Sequence, residues 1–382
     1  MIGKKGNLKV TFVHDLFFDV DSCGRLFCPG GLDEIYFDRF FDSGFHKVKI
    51  ISRSNISTKS LSNYFQPDKF EFSKFKFSDY GELFSFSAFN ALRIELKKSD
   101  LVVISMPSIT GCYVAMLCAI IGIPYVVEVV GDGEAFKAKR FGTLFTLFLR
   151  AFMPSVIGRA SGAIYVSKYL STRFINTKRT LVSSNVNIST VIKRKKITRK
   201  LIDKDQINLA FVGALNKNKG FDVLLNSISI LVKRHKISTI ILHAVGGRED
   251  FDVRSVIDKL GIRSHVKTYG FLSKDQVMDL LKDMDIYAQP SLSEGLPRAT
   301  LESMSVGLPV VATSLPGFRE ILSDYSLIAP GNSDDLAEKL IEFIFSAELC
   351  SYHSLRNTEK AGNFLYNRLH KKRCDFYSNF KI

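Results

Sequence analysis

Residues Pro290–Pro309 read PSLSEGLPRATLESMSVGLP: a polar loop runs into a helix, with Glu294 and Glu302 separated by seven residues. Pro297 fixes φ at a value suited to a first helical turn, and Ala299 to Met304 continue the helix until Gly307 and Pro309 stop it. Glu294 then sits in the loop and Glu302 about one turn inside. The free N–H groups of the helix start point back at the loop, so the stretch offers anion-binding donors flanked by two carboxylates. A ligand carrying both phosphates and hydroxyls suits that pairing.

Short apolar strands lead up to this stretch and alternate with helical patterns. Ile207–Leu215, Thr239–Val245, Val266–Gly270, Ile286–Gln289, Pro309–Thr313 and Leu327–Ala329 form one series. An earlier series comprises Leu8–Leu16, Lys47–Ser52, Leu101–Ser105, Tyr125–Val130, Ala163–Val166 and Leu181–Ser184, with Phe65–Phe77 as strand plus loop. Asp19–Gly31 reads as a long loop before a helix from about Leu32 to Asp42. Strands alternating with helices predict parallel sheets covered on both faces. At 382 residues the chain exceeds what one core normally serves. The expected class is therefore α/β, with two doubly wound, Rossmann-like domains facing each other across a cleft and ligands at strand carboxyl ends. The expected bounds are 1–187, a linker at 188–206, and 207–355, with 356–382 as a C-terminal helix packing back on the N-terminal domain.

Charge is uneven. Residues 1–200 hold 30 Lys+Arg against 16 Asp+Glu and residues 201–382 hold 23 against 22, contributing +14 and +1 to the total of +15. Residues 151–200 contain 11 basic side chains and no acidic one, ending in Lys193, Arg194, Lys195, Lys196, Arg199 and Lys200. One half should feel anionic surfaces far more than the other. Just before it, Phe141–Val156 is apolar and aromatic, which fits a core helix or a surface resting on anionic lipid headgroups. Nucleic acid is a poorer partner, because no recognisable RNA or DNA module interleaves with the basic residues.

The run Ile109–Val130 is interrupted by Gly122 and Pro124, giving a helix and a strand rather than a membrane span. The apolar part of MIGKKGNLKVTF is too short for a signal peptide. Six cysteines show no CxxC pair and no adjacent His/Cys ligand spacing, as expected of buried thiols in a reducing, cytoplasmic setting.

Three loops add chemistry. Gly213–Gly220 (GALNKNKG) joins a strand to a helix, and Lys219 in it is placed to meet a phosphate, although a solvated loop lysine explains it as well. Gly246-Gly247 and Gly270 put small residues at the next strand ends, where a ligand could approach backbone. Asp19-Val-Asp21 is a DxD that a metal-dependent transferase of another fold would use, but two carboxylates alone make a weak cation site.

These residues together resemble the nucleotide-sugar-binding domain of the family 4 retaining glycosyltransferases, which have the GT-B architecture. The resemblance runs from about Asn208 to Phe345, and its most specific part is the E-x7-E pattern followed by GLPVVA. It implies that Glu294 faces the donor sugar, that Glu302 takes the ribose hydroxyls, and that Gly295, Leu296 and Pro297 lie against sugar and diphosphate. Lys219 would bind the diphosphate, with Gly213 in the same loop, and Gly270 would lie by the base. The family usually has an arginine after the glycine of its first strand, where this chain has Ala214, so that cation is either missing or supplied from elsewhere, by Arg298 or Lys217.

The first half resembles the family less closely. Gly30 and Gly31 fit the glycine loop that approaches donor and acceptor. Where the family often has a histidine, the nearest polar candidate in VVEVVGDGEAF is Asp132; a turn-forming Asp-Gly is the plain alternative. His14 could line the cleft or simply pack. The implied activity is transfer of a sugar from a nucleoside diphosphate to a saccharide or lipid-linked saccharide, with retention and without metal or other cofactor. It would serve surface polysaccharide synthesis at the inner membrane face, with the N-terminal half touching anionic lipid. A GT-B-like nucleotide-sugar epimerase and a non-catalytic nucleotide-sugar-binding protein are the alternatives.

Overall fold

In a computed structural model, the described residues are 8–21, 25–27, 32, 34–56, 65–133, 142–176, 178–247 and 249–380. The chain divides into two compact units, Met1–Asn185 with Leu369–Ile382, and Val186–Arg368.

The first unit is built on β1 (Lys9–Val20), β2 (Leu26–Phe27), β3 (Lys47–Ile56), β4 (Phe70–Phe72), β5 (Leu101–Met106), β6 (Tyr125–Val129), β7 (Gly162–Tyr165) and β8 (Thr180–Val182). Their order is β4-β3-β1-β5-β6-β7-β8, all parallel, with β2 antiparallel to β1. Every residue of β5 and β6 is buried, as a parallel strand covered on both faces requires. The expected loop from Asp19 is shorter than its polar composition implies. Strand β1 continues to Val20, where Phe18 and Val20 bury into the core, and folds back as a hairpin. Asp21 in that hairpin pairs with Arg25 at 2.7 Å, so one of the two DxD carboxylates is taken up by a local ion pair. Much of the chain's phenylalanine content goes into edge-to-face packing here, such as Phe12–Phe37 and Phe37–Phe70, each at 5.3 Å between centroids.

Glu128 on β6 lies inside this unit. Its carboxylate accepts from Arg39 Nη2 (3.1 Å), Tyr36 OH (2.9 Å), Arg373 Nη1 (3.2 Å) and Tyr377 OH (2.5 Å). Burial alone would push its pKa up, but the two guanidinium groups and two hydroxyls outweigh burial and hold it below the usual range. Arg373 and Tyr377 belong to the Tyr366–Ser378 helix, so a helix far along the sequence completes this charge balance.

The Ile109–Val130 run resolves into the helix Ile109–Ile121, stopped by Gly122 at φ +72°, and then β6. The Gly142–Arg159 helix buries Met153, Val156 and Ile157 and exposes Leu147 and Phe148. Among the described residues, no helix is long and apolar enough to cross a membrane.

The second unit carries β9 (Ile207–Val212), β10 (Ile240–Val245), β11 (Val266–Thr268), β12 (Ile286–Gln289), β13 (Val310–Thr313) and β14 (Leu327–Ile328). Their order, β11-β10-β9-β12-β13-β14, is parallel throughout and doubly wound, reversing direction at β9/β12. Within 188–206, Arg194 donates to the carbonyls of Val306 (2.7 Å), Met284 (2.7 Å), Leu281 (3.0 Å) and Lys282 (2.9 Å). One guanidinium thus caps the carboxyl ends of two helices, Lys274–Lys282 and Arg298–Ser305.

Candidate functional site

The carboxyl ends of β9 and β12 meet at the switch point of the second sheet, and the loops that leave them are locked together. After β9, Asn216 Oδ1 accepts from Lys219 N–H (3.0 Å) and closes a single tight turn over Lys217–Lys219. Gly220 follows at φ +67°, and a Cβ there would stand 1.8 Å from the Pro290 carbonyl oxygen. Leu292 N–H donates to Asn218 O (2.8 Å). Only glycine permits this approach. Its result is that Lys219 Nζ lies 2.7 Å from Glu294 Oε1.

Behind Glu294 stands a row of donors that all point the same way. Tyr287 OH donates to Gln289 Oε1 (2.6 Å), Gln289 Nε2 to Ser291 Oγ (3.0 Å), and Ser291 Oγ to Glu294 Oε1 (2.9 Å). Thr313 Oγ1 holds the Ser291 carbonyl at 2.6 Å. Burial first, and the charges of Glu302 and Glu294 after it, push the Tyr287 phenol well above its ordinary range, so it stays a donor. Sequence reading missed this row. Its signal was polar Gln289 and Ser291 inside the otherwise apolar IYAQPSL.

The helix begins at Arg298, with Pro297 as its cap at φ −77°, and the first intrahelical bond runs from Leu301 N–H to Pro297 O (3.2 Å). Pro297 is thus one residue outside the turn that its fixed φ suggests. The N–H groups of Arg298, Ala299 and Thr300 precede that bond and face the loop. Gly295 and buried Leu296 form the floor: a Cβ on Gly317 would meet Gly295 O at 2.3 Å. Glu302 is half-buried, and burial raises its carboxyl pKa against the opposing charges of Arg298 and Lys274.

The remaining glycines lie along successive strand ends. Gly213 N–H donates to Val245 O (2.9 Å) and Gly246 N–H to Gly270 O (2.8 Å), and a Cβ on Gly246 would stand 1.8 Å from Gly213 O. Gly270, at φ +65°, faces open space, with no atom within 4 Å of where a Cβ would stand. Beside it the exposed Phe271 ring covers Gly247, an aromatic that sequence reading passed over. Glu294, Lys219, Gly213, Gly295, Leu296, Pro297 and Gly270 therefore all belong to the loops and strand ends at the carboxyl side of one sheet, and Glu302 to the helix that leaves them.

The remaining candidates belong to the first unit. Asp132 is half-buried, three residues past β6, and precedes Gly133 at φ +87°. Gly30 and Gly31 lie outside the described residues. His14 packs: it stacks on Phe12, its Nδ1 accepts from Leu16 N–H (2.9 Å), and burial lowers its pKa to about 4. Its neighbour Asp15 was not anticipated. That carboxylate accepts from Ile109 N–H (2.6 Å) and Thr110 N–H (3.0 Å), occupying the start of the Ile109–Ile121 helix.

Residues 192–359, which make up most of the second unit, match the family model of glycosyl transferases group 1. The chain is a glycosyltransferase whose second unit carries a glycosyl transferases group 1 domain. Protein CapJ of Staphylococcus aureus is 28% identical to this glycosyltransferase over 98% of the chain and 96% of its own length. Two solved structures share its fold. Anabaena Alr3699/HepE in complex with UDP-glucose aligns over 97% of this chain and 100% of its own, at 18% identity and a TM-score of 0.70. The lipopolysaccharide outer core galactosyltransferase WaaB, in its apo form, aligns over 97% and 99%, at 18% identity and a TM-score of 0.63. The fold of this glycosyltransferase is accordingly GT-B.

Proposed function

We propose that this glycosyltransferase moves a sugar from a nucleoside diphosphate to a hydroxyl of a saccharide or lipid-linked saccharide, with retention of anomeric configuration, in surface polysaccharide synthesis. The observation that carries the reading is the 2.7 Å Lys219–Glu294 pair at the mouth of the Arg298–Ser305 helix. A cation, a helix start and two carboxylates at the carboxyl side of one sheet complement a ligand with a diphosphate between two sets of hydroxyls. UDP-glucose in HepE is a ligand of that kind.

In this reading Lys219 and the N–H groups of Arg298 to Thr300 stabilise the diphosphate as its bond to the sugar C1 breaks. Glu294 holds hydroxyls of the donor sugar and Glu302 those of the ribose, each accepting bidentate hydrogen bonds. The acceptor oxygen bonds to C1 on the face being vacated, and its proton passes to the departing phosphate oxygen. No protein base is needed for that transfer. The first unit takes the acceptor, with Asp132 as its nearest polar candidate, and its basic surface and exposed Leu147 and Phe148 rest on anionic lipid at the inner membrane face.

Calorimetry across UDP, GDP, ADP and their sugars, followed by product analysis with Glu294→Ala, tests this reading. One nucleotide should bind best, and transfer should vanish in the variant while its melting profile stays cooperative. Unchanged product formation by Glu294→Ala would remove Glu294 from the site.

A further inference from the structure

Away from the strand carboxyl ends, one cluster on the first unit has the composition of a metal site. The Tyr366–Ser378 helix sets His370 and Cys374 four residues apart, on one face. They meet Asp42, in the turn that ends the Glu34–Phe41 helix. His370 Nε2 is 2.7 Å from Asp42 Oδ2 and 3.4 Å from Cys374 Sγ, and the three ligand atoms lie within 4.8 Å of one another.

We propose that Asp42, His370 and Cys374 bind a divalent transition metal of the zinc type, with water as the fourth ligand. Tetrahedral zinc holds nitrogen and oxygen at about 2.0 Å and sulfur at about 2.3 Å, which spaces neighbouring ligand atoms roughly 3.3–3.5 Å apart. The His–Cys spacing already fits. The His–Asp pair opens by about 0.6 Å, a small side-chain rotation on that geometry. A thiolate, an imidazole and a carboxylate together select zinc over calcium or magnesium.

On binding, the Cys374 thiol proton is released to solvent as the sulfur–metal bond forms. The metal would clip the Glu34–Phe41 helix to the helix that carries Arg373 and Tyr377. The Asp42 turn leads into the start of β3, at the opposite end of the parallel strands from Asp132, so the clip serves stability and not sugar transfer.

The test uses the full chain, stripped of metal and titrated with Co2+ as a spectroscopic probe. One equivalent should produce a thiolate-to-cobalt charge-transfer band, Zn2+ should displace it, and Zn2+ should raise the melting temperature. Cys374→Ser should abolish the band, and Asp42→Asn and His370→Gln should each weaken binding tenfold or more. Absence of the band in a folded chain, a band that persists in Cys374→Ser, or equal stabilisation by Zn2+ in wild type and all three variants would overturn the site.

Discussion

Lys219 and Glu294, 75 residues apart in sequence, form a 2.7 Å ion pair whose carboxylate oxygen also accepts from Ser291. The ammonium is only partly enclosed, so the pair contributes little to folding and is better placed to be shared with an incoming anion. Lys219→Ala should therefore weaken binding of the preferred nucleoside diphosphate by roughly ten- to a hundredfold, the worth of one charge-assisted hydrogen bond. Calorimetry reads this, and the urea midpoint should barely move.

Glu302 gives a pH signature. Its carboxyl pKa is raised in the folded chain, so the unfolded state loses that proton first. The contribution to stability is complete at acid pH and declines as pH rises from about 4.3 through the raised value. Glu302→Gln should remove that decline and stabilise the ligand-free protein near neutrality, while weakening nucleotide binding. Urea denaturation of both proteins between pH 4 and 7 checks the sign.

The two glycines Gly220 and Gly270 share a left-handed backbone but differ in surroundings. Gly270→Ala meets open space and should cost only the conformational strain, about 1 kcal/mol. Gly220→Ala drives a methyl into the Pro290 carbonyl and must move the loop that carries Lys219. Its cost should be about 3 kcal/mol or more, with loss of transfer. A paired denaturation series separates the two.

His353, buried beside Ser326 Oγ at 3.2 Å, has its pKa lowered by burial to about 4. Its neutral form is the folded one. Stability should fall as pH drops from about 6.5 towards 4, because the unfolded chain takes up the proton first. His353→Gln should flatten that limb of the stability profile, read by chemical denaturation.

The alternation of apolar strands with helical patterns made both sheets legible, because buried parallel strands such as Leu101–Met106 are continuous apolar runs. The placement of Glu294 and Lys219 in loops and of Glu302 one turn into a helix was legible too, since it depends on local loop and helix geometry. What could not be read depends on partners far along the chain. Arg194 looked like one more basic residue until four carbonyls converged on it. Asp15 gave no hint of the helix start 94 residues away that it caps. His370 and Cys374 pass unnoticed as a pair until a helix brings them onto one face beside Asp42.

The Glu128 cluster bears on the order in which the chain becomes complete. Its second guanidinium, Arg373, is made 245 residues after the carboxylate it neutralises. The second unit, Val186–Arg368, is continuous and has been synthesised before Arg373 is added. Domains otherwise mature in the order of their synthesis. Here the unit begun before the other is finished after it, and until Arg373 is made one of its interior strands carries an under-neutralised acid.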